Sequence, residues 1–182
     1  PLDGRWVGHG RPKALNGIAH WDGADLGGGT LVVYGEQGHG DALQFLRYVP
    51  LAKDKAGHGV RVVALVHTPL VEVAARAAGV DEALPLGAKV PGATATIPLM
   101  RLPHMRGARA LDPAPVPPYI TPPRGRDLGG EGVRVGLVWR GNPDHANDAH
   151  RSCSLAALAP VMDMPGVDVF ALQWGGLTDA EK

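Results

Sequence analysis

A short apolar run, Leu31-Val32-Val33-Tyr34, leads directly into a turn containing Gly35, Gly38 and Gly40. This stretch can fold in few ways. The run does not alternate with polar residues and is bounded by glycines, which suits a strand covered on both faces. The glycines let the backbone turn sharply and leave room for another molecule to approach. Asp41 stands where a helix N-cap is expected, and Leu43, Phe45, Leu46 and Val49 follow at helical spacing. Pro50 is expected to kink or stop that helix, because it lacks an N–H and clashes with the preceding turn.

The same grammar continues downstream. Gly57-His58-Gly59 ends the helix, and the β-branched run from Val60 to Val66 predicts a second strand. Thr68-Pro69 predicts a capped helix start, with Leu70, Val71, Val73, Ala74 and Ala77 on its apolar face and Gly79 at its end. Further strands are expected within 81–86 and 93–99, followed by a short turn or helix from Met100 to Met105. Strands alternating with helices predict an α/β fold, with a Rossmann-like parallel sheet, flanking helices and right-handed crossovers.

This pattern divides the chain into four stretches. Residues 1–29 read as an extended lead-in anchored by Trp6 and Trp21. Residues 30–111 form the Rossmann-like domain. Residues 112–132 begin proline-dense and continue polar and glycine-rich, which reads as a stiff extended linker. Residues 133–182 hold a strand from Val133 to Trp139, a polar loop, a helix from about Ser154 to Met162 and a strand from Val167 to Gln173. One such β-α-β unit cannot bury both faces of its sheet. The expectation is therefore a truncated second Rossmann domain, in a chain that also lacks an initiator methionine.

Charge and composition narrow the function classes. The chain has 182 residues, with 18 basic and 18 acidic side chains and a formal net charge of zero. That balance argues against a broad nucleic-acid surface. No apolar run approaches the roughly 20 residues of a membrane span, and no signal peptide is visible. The single cysteine, Cys153, rules out an internal disulfide and fits a reducing, cytoplasmic setting.

Two stretches hold the candidate chemistry. Glu36, Gln37, Gly38, His39, Gly40 and Asp41 lie where a strand's carboxyl end meets a helix N-terminus, a place that favours anions. There Asp41 is a candidate general base for an acceptor hydroxyl. The plainer reading is that Asp41 caps the helix and the glycines only turn the chain. A dinucleotide fingerprint fails because Leu43 occupies the third glycine position, and a P-loop fails for want of Gly-Lys-Ser/Thr.

The second stretch, Trp139 to Ser152, is a polar loop after a strand, where open α/β sheets bind ligands. Its candidates are Gly141, Asn142, Asn147, Asp148, Arg151 and Ser152, with Arg151 suited to phosphate oxygens and Ser152 or Ser154 to capping the next helix. The plainer reading is a solvated Asn/Asp/Pro turn. His145, Asp148 and His150 lack a metal-site spacing, so no metal is expected. Cys153 has no histidine partner at a telling spacing, and the methionines read as core filler.

At these motifs the chain resembles the glycosyltransferase-like region at the carboxyl end of bacterial tetratricopeptide-repeat proteins, related to heptosyltransferases of GT-B architecture. The matching pieces are Trp21 to Tyr34, Gly35 to Pro50, Pro98 to Pro103 and Val135 to Ser152, in the family's order. The resemblance implies the amino-terminal half of a GT-B enzyme followed by the first unit of its donor domain. It implies a metal-independent transfer of a sugar from a nucleotide-sugar donor to an unidentified acceptor hydroxyl on protein, glycan or lipid-linked sugar, with no further cofactor. Tetratricopeptide repeats in the same full-length chain are implied as well. Asp41 matches the proposed catalytic base, Gly38 and Gly40 the turn, and Arg151 a basic residue meeting the donor diphosphate. Asn142, Asn147, Asp148 and Ser152 match the family's loop motif without individual roles. His39 departs from the pattern, which usually has an apolar residue there, and the stop at Lys182 omits most of the donor half. A fragment so cut is expected to be inactive alone. The rival expectation is a non-catalytic Rossmann-like module for binding or assembly; a small nucleotide- or phosphate-binding protein is a third.

Overall fold

The computed structural model describes residues 10–106, 118–125, 127–173 and 178. Trp6, Lys182 and residues 112–117 of the expected linker lie outside them. The chain divides into two compact units, Pro1–Arg124 and Gly125–Lys182.

The first unit is an α/β fold with five parallel strands. They are β1 (Ala19–His20), β2 (Thr30–Tyr34), β3 (Arg61–Val66), β4 (Glu82–Pro85) and β5 (Ala93–Pro98). Their spatial order is β1-β5-β2-β3-β4. Two α-helices follow β2: α1 (His39–Leu46) and α2 (Val49–Ala56); the one-turn α3 (Val71–Ala74) follows β3. A 3-10 segment, Leu99–Arg106, follows β5.

Burial on both faces explains the unbroken apolar strands. Leu31, Val33, Val62, Ala64, Val66, Ala95 and Ile97 face the helices, packing with Leu46, Val49, Ala52, Ala56 and Leu99. Val32, Tyr34, Val63 and Leu65 face the other way, against Leu15 of the 3-10 turn Lys13–Leu15 and Val90 of a loop. Helices therefore flank one face, and loop segments close the other. The expected lead-in contributes more than an anchor. Trp21 is buried and donates through Nε1 to the Ala24 carbonyl (2.8 Å), while Ala19–His20 adds a parallel edge beside β5.

Several element boundaries differ from the sequence reading. The expected single helix after the glycine turn ends at Leu46, and Pro50 sits in the first turn of α2, where its missing N–H costs nothing. Thr68 is the first residue of a 3-10 turn and not a cap, and the helix it opens shrinks to one α-turn, Val71–Ala74. Pro160 likewise stands in the first turn of α4 (Ala159–Met162), so the expected helix from Ser154 begins as a separate 3-10 segment, Leu155–Leu158. Ser154 does cap that segment, accepting from the Ala157 N–H (3.3 Å).

The described end of the proline-dense stretch docks on the first unit. The Ala78 N–H donates to the Tyr119 carbonyl (2.8 Å) and the Thr121 N–H to the Arg76 carbonyl (3.0 Å). The Tyr119 hydroxyl donates to the Leu43 carbonyl (3.1 Å), and the Arg47 guanidinium lies 5.2 Å from the Tyr119 ring centroid.

The second unit has two parallel strands, β6 (Val133–Leu137) and β7 (Val167–Ala171), with α4 between them in sequence. Trp139 is buried there, whereas Val133, Val138, Met164 and Leu172 are exposed. No helix among the described residues is long and apolar enough to cross a membrane.

Candidate functional site

Strand order singles out one end of the first sheet. From β2 the chain moves to β3 and β4 on one side, then returns to lay β5 on the other side of β2. The direction of winding reverses between β2 and β5, and ligands of open α/β sheets bind at the carboxyl ends of such strands. The glycine turn leaves β2 at that point: Gly35 to Gly38 form the loop, and His39 and Gly40 open α1.

Local hydrogen bonding fixes the turn. Gly38 is the N-cap of α1, in an extended conformation, and Asp41 stands at the third helical position, so the expected N-cap moves three residues upstream. Asp41 Oδ2 accepts the Gly38 N–H at 3.1 Å. That is the half of a capping box that remains when the N-cap is glycine. The first-turn amides of α1 have no intrahelical acceptors, and the carboxylate sits at the positive end of the helix dipole. Asp41 thus holds the helix start together whatever else it does.

Glu36 has the more unusual surroundings. Its Oε2 is buried and has no hydrogen-bond partner among the described residues. Burial pushes the carboxyl above its usual range; nearby backbone N–H groups of Glu36 and Met100 oppose this, the Asp41 charge adds to it, and the Leu99 N–H opposes it. The sequence placed Glu36 in the turn but held no sign of its burial or of the Leu99 and Met100 backbone groups that reach it from beyond β5.

Gln37 and His39 are tied to the loop after β3. The Gln37 carbonyl accepts from His67 Nε2 at 2.9 Å, and the His39 and His67 rings meet edge to face with centroids 4.9 Å apart. His39, where the family pattern expects an apolar residue, is exposed and packs on another histidine.

Tyr34 and His20 complete this end of the sheet. Tyr34 is buried, which raises its hydroxyl pKa, and the Glu36 charge adds to that while Arg11 and Arg101 oppose it. Burial lowers His20, with Arg101 and Arg11 acting in the same direction and a backbone hydrogen bond at Trp21 opposing. No local motif flagged Arg11, His20 or Arg101. The strand pairing of a two-residue β1 brings His20 in, and that pairing leaves no periodic trace.

The raised Glu36 pKa has a stability consequence. The folded chain holds the proton to higher pH than the unfolded chain does. Stability therefore declines as pH rises from the ordinary carboxylate range through the folded value, then levels off. Glu36→Gln removes that linkage. At neutral pH the variant is expected to be at least as stable as the parent in urea unfolding, with a flatter dependence on pH above the carboxylate range.

The second unit gathers its loop residues by themselves. Ser152 Oγ donates to Asp148 Oδ1 (2.7 Å) and accepts the Gly141 N–H (2.8 Å). Asn142 Oδ1 accepts the Asp144 N–H (3.1 Å), and the His150 N–H donates to the Asn147 carbonyl (3.2 Å). Gln173 Oε1 accepts from the Trp139 and Arg140 N–H groups, joining the ends of β6 and β7. Arg151 is exposed, as is Cys153. Among the described residues no His/Cys/Asp/Glu group is arranged to hold a metal ion.

Searches of family models, curated proteins and solved structures return no match to this chain.

Proposed function

We propose that the first unit is the acceptor side of a GT-B-type glycosyltransferase and the second unit the opening of its nucleotide-sugar side. The observation that carries this reading is the pair of carboxyl groups, Glu36 and Asp41, in a glycine turn at the point where the parallel sheet reverses its winding. Such a turn offers a carboxylate to a hydroxyl at the start of a helix.

The assigned roles follow from chemistry. Asp41 takes the proton of an acceptor hydroxyl. Gly38 and Gly40 let the acceptor come close to the backbone. In the second unit, Arg151 meets the donor diphosphate with a planar fork of donors, and the Gly141, Asn142, Asn147, Asp148 and Ser152 loop sets the backbone around it. No metal is assigned, since positive charge and helix termini serve to offset charge on the leaving nucleotide. The partners are a nucleotide-sugar donor, an acceptor hydroxyl and tetratricopeptide repeats in the same full-length protein.

One observation favours a second reading. Asp41 is bonded to Gly38, and Asp148 to Ser152, so polar groups of both loops already serve the fold. A non-catalytic Rossmann-like module for binding or assembly would look the same.

Calorimetric titration with UDP-, GDP- and ADP-sugars tests the donor assignment. Saturable binding of one of them is expected, weakened about tenfold or more by Arg151→Gln, the loss of a charge-assisted contact. Absence of binding by all three would remove the donor role.

A further inference from the structure

A short stretch of the proline-dense segment grips the first unit, and its hold falls on the helix that starts at the glycine turn. The stretch is Tyr119-Ile120-Thr121, between Pro118 and Pro122. Neither proline has an N–H, so the pairing gains no donor beyond either end. Within the stretch Ile120 forms an isolated antiparallel bridge with Ala77, flanked by the Ala78–Tyr119 and Thr121–Arg76 hydrogen bonds. Tyr119 and Ile120 pack against the core cluster on the helix-covered face, whereas Thr121 is exposed.

Tyr119 carries the contact to α1. Its hydroxyl donates to the carbonyl of Leu43 in the last turn of that helix (3.1 Å). Its ring has the Arg47 guanidinium 5.2 Å from the centroid, within the reach of a cation–π contact. A helix of this length needs such help. At 8 residues α1 is shorter than the roughly 12–15 that hold as an isolated helix. Arg47, not glycine, follows its last turn, so no left-handed cap closes it. The two ends are tied by different means: Asp41 to Gly38 at the amino end, Tyr119 to Leu43 at the carboxyl end.

We propose that Tyr119 is a clasp through which the linker governs the order of α1 and, through α1, of the glycine turn. Helix formation is cooperative, so release at Leu43 loosens the hydrogen bonds back toward Gly38. Only Pro122, Pro123 and Arg124 lie in sequence between the clasp and the second unit, which begins at Gly125. Tension on this short connection is borne by the docked stretch, and its release frees α1 while the strands stay paired.

The test is amide hydrogen exchange on the whole chain, resolved residue by residue by NMR. Tyr119→Phe removes the hydroxyl and keeps the ring. It is expected to speed exchange in α1 by about three- to tenfold, the loss of one hydrogen bond. The acceleration is expected to include Ala42, whose N–H donates to the Gly38 carbonyl (3.1 Å), and to leave β3 unchanged. Arg47→Gln removes the cation over the ring and is expected to give the same pattern at smaller size. It stands in if Tyr119→Phe loses its circular-dichroism signature. Lys53→Gln is the control: it breaks the Lys53–Asp81 ion pair on the neighbouring α2 and is expected to leave α1 unchanged. No acceleration in α1, acceleration that stops short of Ala42, or equal acceleration in α1 and β3 overturns the proposal. None of these readings depends on sugar transfer, so the clasp and the glycosyl-transfer proposal can fail separately.

Discussion

Asp41→Asn is expected to slow sugar transfer by about a hundredfold to ten-thousandfold, the usual contribution of a positioned general base. The substitution suits the question because of how Asp41 is held. An asparagine carbonyl oxygen still accepts the Gly38 N–H, so the start of α1 survives and the loss reports proton transfer, not unfolding. Donor affinity should stay within a factor of about three, since a group acting only in the chemical step leaves ground-state binding alone. Asp41→Ala removes the helix contact as well and should cost roughly 1 kcal/mol of stability in addition. Glu36→Gln supplies the contrast. If it slows transfer more than Asp41→Asn does, the base belongs at Glu36, whose buried oxygen has no partner among the described residues.

Gly79→Ala carries the largest expected loss of stability. Gly79 has a φ of +80°, and an added Cβ would lie 2.9 Å from both Pro50 Cα and Pro50 N and 3.2 Å from Val49 C. Those neighbours are backbone at the start of α2 and cannot swing aside. Left-handed backbone costs an alanine roughly 1–2 kcal/mol. Overpacking adds about 1–3 kcal/mol. A total of about 2–5 kcal/mol is expected, read as a lower urea midpoint at unchanged slope. Gly92→Ala separates the two contributions, because Gly92 has a φ of +75° with nothing within 4 Å of the added atom. It should lose only the backbone part. Equal losses at the two positions would show that the approach of Gly79 to α2 carries no energy.

What the sequence made legible was local. Leu31 to Tyr34 and Val60 to Val66 are apolar runs set off by glycines, and the structure has strands at Thr30–Tyr34 and Arg61–Val66. A parallel α/β sheet followed from the alternation of such runs with helical ones. Neighbour choice was not legible. Periodicity gives a strand its faces but not its partners, so nothing in Ala93 to Pro98 announced that β5 would pass β2 and shelter a two-residue β1. Helix lengths suffered for a related reason. The stretch from Leu70 to Ala77 has the spacing of a longer helix, yet tertiary packing and the docked segment at Tyr119 to Thr121 leave one α-turn.

The candidate site divides along the same line. Glycine-turn residues were visible because Gly38, His39, Gly40 and Asp41 are consecutive. Asp41 as third residue rather than cap was a matter of helix start, which spacing fixes only to within a few residues. Glu36's surroundings, the His39–His67 contact and the effect of Arg101 and Arg11 on His20 all depend on segments that other strands deliver. Such contacts are properties of the strand order, not of any stretch of residues.

Turnover of the donor decides between an enzyme and a binding module. A radiolabelled UDP-, GDP- or ADP-sugar is incubated with the full-length protein and a cell extract as the source of acceptor, and release of the nucleotide is followed over time. Glycosyl transfer predicts nucleotide release that rises with protein concentration and falls about a hundredfold or more in Asp41→Asn. Saturable donor binding with no nucleotide release above the protein-free control would contradict it.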